Sequence, residues 1–118
     1  MSAIPVFDHI SLTVPDLDHQ VERLTTAFGM EVQVQFDGFA VIVDPGTGLK
    51  LELGTSTDGE VHVRHLGFRA DDVDGTHARL VAAGMEPAGE PQRQDFAGMY
   101  TSYLGQPGGV EIQLVRYD

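Results

Sequence analysis

Apolar and polar residues alternate over residues 8–14 (DHISLTV): Ile10, Leu12 and Val14 fall on one face, His9, Ser11 and Thr13 on the other. A period of two predicts a strand covered on one side by something apolar. Pro15-Asp16 ends it, and the spacing then becomes helical, with Leu17, Val21, Leu24 and Phe28 as one buried stripe. Asp16 or Asp18 can supply the N-cap oxygen. Gly29 is placed to take the left-handed conformation that closes a helix. Three short strands follow, at 31–36, 39–43 and 49–53, separated by Asp37-Gly38, a tight-hairpin signal, and by Pro45-Gly46-Thr47-Gly48. The second half reads in the same order: a strand over 61–70, a helix over 73–83 capped by Gly84, then strands near 87–90, 96–104 and 110–116.

That order reflects an internal repeat. At an offset of 56, His9 falls on His65, Ile10 on Leu66, Leu12 on Phe68, Asp16-Leu17-Asp18 on Asp72-Val73-Asp74, and Leu24 on Leu80. One residue is then lost, and Gly29-Met30-Glu31 meets Gly84-Met85-Glu86. Near the ends, Pro45-Gly46-Thr47-Gly48-Leu49-Lys50-Leu51-Glu52-Leu53 resembles Pro107-Gly108-Gly109-Val110-Glu111-Ile112-Gln113-Leu114, where the offset has grown to 61. The second copy therefore carries an insertion. Each copy is a β-α-β-β-β module, about 7–54 and about 61–117, too small to bury both its helix and its sheet alone. The two are expected to pack as a single domain over 1–118.

Composition narrows the chemistry. The 118 residues contain no cysteine, which excludes a disulfide scaffold, a thiolate zinc site and a cysteine nucleophile. Lys+Arg 7 against Asp+Glu 18 gives a formal charge of −11, which argues against nucleic acid as partner and against docking on an anionic membrane. No apolar run approaches the length of a membrane span, and the opening MSAIPVFDHIS has no basic region before an apolar one. A soluble cytoplasmic protein is the expectation. Neither a phosphate-binding glycine loop nor a Ser-His-Asp arrangement can be argued.

Four segments, DHISLTVPDL at 8–17, GLKLEL at 48–53, RHLGF at 64–68 and QPGGVEIQL at 106–114, carry a resemblance to the vicinal oxygen chelate superfamily, the glyoxalase, bleomycin-resistance and extradiol-dioxygenase group. It extends over about 7–115. The resemblance implies an α+β fold of two tandem βαβββ modules curled into a half-open barrel, with the inner face of equivalent strands turned to the centre. Strand periodicity then puts His9, Ser11 and Thr13, Lys50 and Glu52, His65, Gly67 and Arg69, and Glu111 and Gln113 inward, while Leu49, Leu51, Leu53, Val110, Ile112 and Leu114 pack outward. What the resemblance adds is one metal-ligand position on each of four strands: His9, Glu52, His65 and Gln113. Two imidazoles plus oxygen donors suit a divalent Zn, Ni, Co, Mn or Fe ion.

Each of these residues has a plainer role to set beside that one. A single histidine at a strand start is commonly only a hydrogen-bonding group, and what singles out His9 and His65 is their identical placement in two repeats. Glu52 can balance Lys50 or Arg69. Gln113 can be a polar wall residue touching substrate. His19 and His77, on helices among charged neighbours, are expected to be solvated, and His62 lies out of phase with His65. Phe36, Phe39, Phe96, Tyr100 and Tyr103 fall in segments that line cavities in the family, although core is the commoner fate of such residues.

By resemblance, the chain is a metal-dependent lyase or isomerase of glyoxalase or epimerase type, acting on a small molecule. The ion would stabilise an enolate or oxyanion, and Glu52 would serve as ligand and base. The alternative is a metal-free small-molecule (drug) binding protein, a branch that lacks the inward His/Glu set. Dioxygenases and fosfomycin-type thiol transferases place a carboxylate where this chain has Gln113, which counts against both. Relatives of this length are commonly homodimers.

Overall fold

A computed structural model describes residues 4–106 and 108–118. Pro107, set against Pro45 by the repeat, lies outside the described residues, as do the first three residues of the opening segment. The chain divides into two compact units, Asp8–Arg64 and His65–Asp118, the latter joined by the lead-in up to Phe7.

The first unit holds β1 (Val6–Val14) from Asp8 onward, α1 (Leu17–Phe28), β2 (Glu31–Phe36), β3 (Phe39–Val43) and β4 (Lys50–Thr55). Its strands lie in the order β2-β3-β4-β1. β1 and β4 run parallel, with His9 opposite Lys50 and Ser11 opposite Glu52, while the other pairs are antiparallel. Asp16 is the residue that caps α1, its carboxylate accepting from the His19 N–H at 3.4 Å. Gly29 closes the helix at φ 72°, donating its N–H to the Leu24 carbonyl. Asp37-Gly38 makes the expected tight hairpin, with Phe36 opposite Phe39 and Gly38 at φ 82°, a conformation that favours glycine. Val14, Leu17, Val21, Ala40, Ile42 and Leu53 form the core, with Leu12, Leu24, Met30 and Leu51 packed against it.

Two expected core residues are not there. Phe28, at the end of α1, is 70% exposed, because Gly29 reverses the chain and Met30 covers the core instead. Leu49 is 37% exposed, because β4 starts one residue later, and Leu49 still belongs to the turn organised by Asp44. Asp44 accepts from the Gly46 N–H at 3.2 Å and the Thr47 hydroxyl at 2.8 Å.

The second unit holds β5 (His62–Arg69), α2 (Val73–Ala82), β6 (Glu86–Pro87), β7 (Gln92–Gln94), β8 (Met99–Gly105) and β9 (Glu111–Tyr117). β5 pairs in parallel with β9, Gly67 opposite Gln113, and β9 pairs antiparallel with β8. Asp72 caps α2 through the Gly75 N–H at 2.9 Å. Ala70, Val73, Leu104 and Leu114 form the core, with Phe68, Leu80, Val81, Met85 and Tyr100 around it.

This unit departs from the simple module. The strand expected near 87–90 is split into β6 and β7, which pair with opposite ends of β8: Glu86 with Gly105, and Gln94 with Met99. Gly89, at φ 101°, and Pro91 interrupt the pairing between them. The strand expected from 96 begins at Met99, because Asp95–Ala97 is a turn of 3-10 helix that leaves Phe96 90% exposed. His77 is buried rather than solvated. It lies between Val73 and Val81 at helical spacing, on the stripe that α2 turns to the core, so position outweighs its polar neighbours. Among the described residues, no helix is long and apolar enough to cross a membrane.

Candidate metal centre

In the first unit, His9 and Glu52 come together. Residues opposite one another on paired strands share a face, and His9 and Ser11 share a face by strand periodicity. Since Ser11 is opposite Glu52, the Glu52 side chain needs only to lean back along β4 to reach His9. The His9 Nε2 to Glu52 Oε2 distance is 3.5 Å, with the His9 side chain 1% and the Glu52 side chain 25% exposed. Two ligand atoms each about 2.1 Å from a shared ion stand about 3.0–3.4 Å apart in octahedral or tetrahedral geometry. A spacing of 3.5 Å thus admits a common ion with little movement.

Behind His9 stands Asp8. Its buried carboxylate accepts from His9 Nδ1 at 2.7 Å, and its other oxygen is 3.7 Å from the Lys50 ammonium.

In the second unit, His65 and Gln113 flank Tyr103. Gly67 is opposite Gln113, and Gln113 opposite Tyr103, so the face that carries His65 carries all of them. His65 is buried and meets the Tyr103 ring edge-on, centroids 5.6 Å apart. Gln113 is 2% exposed and donates its amide N–H to the Thr101 hydroxyl at 3.0 Å. Thr101 spends its one hydroxyl proton on the Leu114 carbonyl at 2.6 Å, so it meets Gln113 as an acceptor. The amide orientation of Gln113 is thereby fixed, with Oε1 directed away from Thr101. The matching registers make Glu52 and Gln113 equivalent positions, as His9 and His65 are.

Asp8 and Thr101 are the participants that sequence reasoning left without a role, while Tyr103 was read only as cavity wall or core. Asp8 carried a signal: a carboxylate inside a strand buried on both faces must have a partner. His19 and His62 lie elsewhere, exposed, against Arg23 at 2.8 Å and Asp58 at 2.6 Å respectively. The Glu60 backbone N–H, and after it His62, holds the Asp58 carboxyl below its ordinary range. A separate cavity of about 280 Å³ beside α2, walled by Phe68, Leu80, Met85, Ile112 and other apolar groups, includes none of the four candidate ligands.

Solved structures of the same fold include the methylmalonyl-CoA epimerase from Mycobacterium tuberculosis, 24% identical, TM-score 0.75, covering 100% of this chain and 93% of that one. A substituted form of the Streptomyces coelicolor methylmalonyl-CoA epimerase in complex with 2-nitronate-propionyl-CoA is 24% identical, TM-score 0.73, covering 98% and 99%. The Mn(II)-bound glyoxalase from Novosphingobium aromaticivorans is 20% identical, TM-score 0.81, and covers 98% of this chain but 40% of its own. No curated protein sequence matches. The family model for the glyoxalase, bleomycin resistance protein and dioxygenase superfamily matches residues 6–114, nearly the whole chain and both repeats, and the chain belongs to that superfamily.

Proposed function

We propose that the protein is a metal-dependent isomerase or lyase of epimerase or glyoxalase type, which moves a proton next to a carbonyl in a small molecule. The observation that carries the reading is the alignment Asp8–His9–Glu52: a buried imidazole engaged at Nδ1 and facing a carboxylate with Nε2. The proposed ligands are His9 and Glu52 of the first unit and His65 and Gln113 Oε1 of the second. A divalent Zn, Ni, Co, Mn or Fe ion there would supply Lewis acidity toward charge developing on a substrate oxygen. The two buried histidines and Gln113 can only hold and orient; an amide is no base. Glu52 is the most open of the four, and its carboxylate can take a proton from a substrate carbon and return it.

The similar epimerases suggest the first substrate to try, an acyl-CoA with an acidified α-carbon, and the Mn(II)-bound glyoxalase supports the metal. Elemental analysis of protein purified without added metal should find about one divalent ion per chain. Methylmalonyl-CoA in deuterated buffer should lose its α-proton signal with the loaded protein and keep it with Glu52→Gln. Protein that takes up no zinc or manganese at saturation would instead be a metal-free small-molecule binder. A homodimer is proposed as the working form, to be read by sedimentation.

A further inference from the structure

We infer that Asp8 is a positioning residue that fixes the tautomer of His9, so that Nε2 offers its lone pair on the side where Glu52 stands. An ionised carboxylate only accepts, so the 2.7 Å contact requires the proton of a neutral His9 to sit on Nδ1. Nε2 is then the basic atom, and it is the atom 3.5 Å from Glu52. Asp8 is 4% exposed and His9 1%, so neither side chain exchanges this contact easily for water. Lys50, 3.7 Å from the other Asp8 oxygen, sets a compensating charge beside the buried carboxylate. The chain thus builds a relay of fixed polarity: ammonium, carboxylate, imidazole, carboxylate.

The repeat sharpens the point. Asp8 and Lys50 are equivalent by position to Arg64 and Glu111, both exposed and of opposite sign. His65 therefore follows an arginine where His9 follows a carboxylate, and it is braced by the Tyr103 ring. Only one of the two histidines has been given an anionic partner from the preceding residue.

The consequence for affinity rests on the metal-centre reading, whereas the tautomer assignment does not. In metal-free protein with ¹⁵N-labelled histidine, long-range proton–nitrogen correlations should show His9 protonated on Nδ1. In Asp8→Asn, whose amide can donate to Nδ1, the proton should shift toward Nε2. The signals of His65 should not move. Zinc affinity by calorimetry should fall about 10- to 100-fold, as for loss of an outer-sphere carboxylate. Wild-type His9 protonated on Nε2 overturns the inference and requires no variant to fold. So does Asp8→Asn with an unchanged tautomer, or with an altered tautomer and unchanged zinc affinity. If the wild type takes up no zinc, the metal reading fails and the tautomer comparison alone decides the role of Asp8.

Discussion

His9 Nε2 and Glu52 Oε2 stand 3.5 Å apart on one face of the parallel pair β1–β4. Glu52 is the one anionic group among the four proposed ligands, so its charge sets the affinity for a divalent ion. Glu52→Gln should weaken zinc binding by more than the 10- to 100-fold typical of losing an outer partner. His9→Ala and His65→Ala should each abolish stoichiometric binding with the fold intact. His9→Ala also strips Asp8 of its imidazole partner, at a cost of about 1–3 kcal/mol in unfolding free energy. Metal content after gel filtration, with denaturant unfolding beside it, checks all three.

How far this pairing was legible depends on which force places each residue. The strand period, read on the fold that the family resemblance implies, put His9 and Glu52 on a shared face, because paired strands leave a side chain no third direction. Periodicity could not supply Asp8, since an adjacent residue in an ideal strand points the other way. Phe28 misled because a helical stripe was extended to the last residue, where the chain already turns at Gly29. His77 misled for the opposite reason, as its charged neighbours outweighed its place between Val73 and Val81 in the reading. The split of β6 from β7 follows from the insertion, whose register no repeat partner could fix.

Ile42 is fully buried in the core between α1 and the first unit's sheet. Ile42→Ala should cost about 2–5 kcal/mol, the range for an aliphatic side chain removed from a packed core. Phe28→Ala, by contrast, should stay within about 0.5 kcal/mol, as an exposed substitution does. The difference in denaturation midpoints tests whether the stripe ends where the structure ends it.

Tyr100 donates its hydroxyl to Asp74 at 2.6 Å, which raises the phenol above its ordinary range; desolvation adds to the effect and the nearby Arg116 guanidinium opposes it. A raised folded-state value means that the contact's contribution is complete below about pH 10, the ordinary phenol value. It is lost as pH rises through the folded value. Tyr100 should therefore ionise above the ordinary phenol value in an absorbance titration near 295 nm. Asp74→Asn should bring it forward.

Arg93 joins β7 to the chain end, donating through Nη1 to Asp118 at 2.8 Å, through Nη2 to the same carboxylate, and through Nε to Asp95 at 2.7 Å. The Arg93 hydrogen bond holds the Asp118 carboxyl below its ordinary range. The sign is that of a depressed acid: the clamp is fully present above the unfolded carboxylate value, about 4, and fades as pH falls through the folded one. Amide exchange at Asp118, whose N–H bonds to the Gly98 carbonyl at 3.0 Å, should quicken relative to the intrinsic rate at the same pH as the wild type is acidified. In Arg93→Met it should already be fast at pH 7.

Gln113 offers the sharpest test, because its hydrogen bonding and its proposed ligand role make opposite demands on a carboxylate. The Gln113 amide donates to Thr101 Oγ1, and Thr101 has already given its proton to the Leu114 carbonyl. Gln113→Glu replaces that donor with a second acceptor at a position 2% exposed. Either Thr101 turns its proton to the new carboxylate and abandons Leu114, or two acceptors face each other. Both cost on the order of 1–3 kcal/mol, and a buried charge adds to this. Metal-free Gln113→Glu should therefore melt below the wild type. With an ion present the added charge becomes an advantage, so zinc or nickel should bind Gln113→Glu more tightly and raise its melting temperature by more than that of the wild type. A variant that melts lower and gains nothing from metal would leave Gln113 as a wall residue held by Thr101, and the centre with three protein ligands.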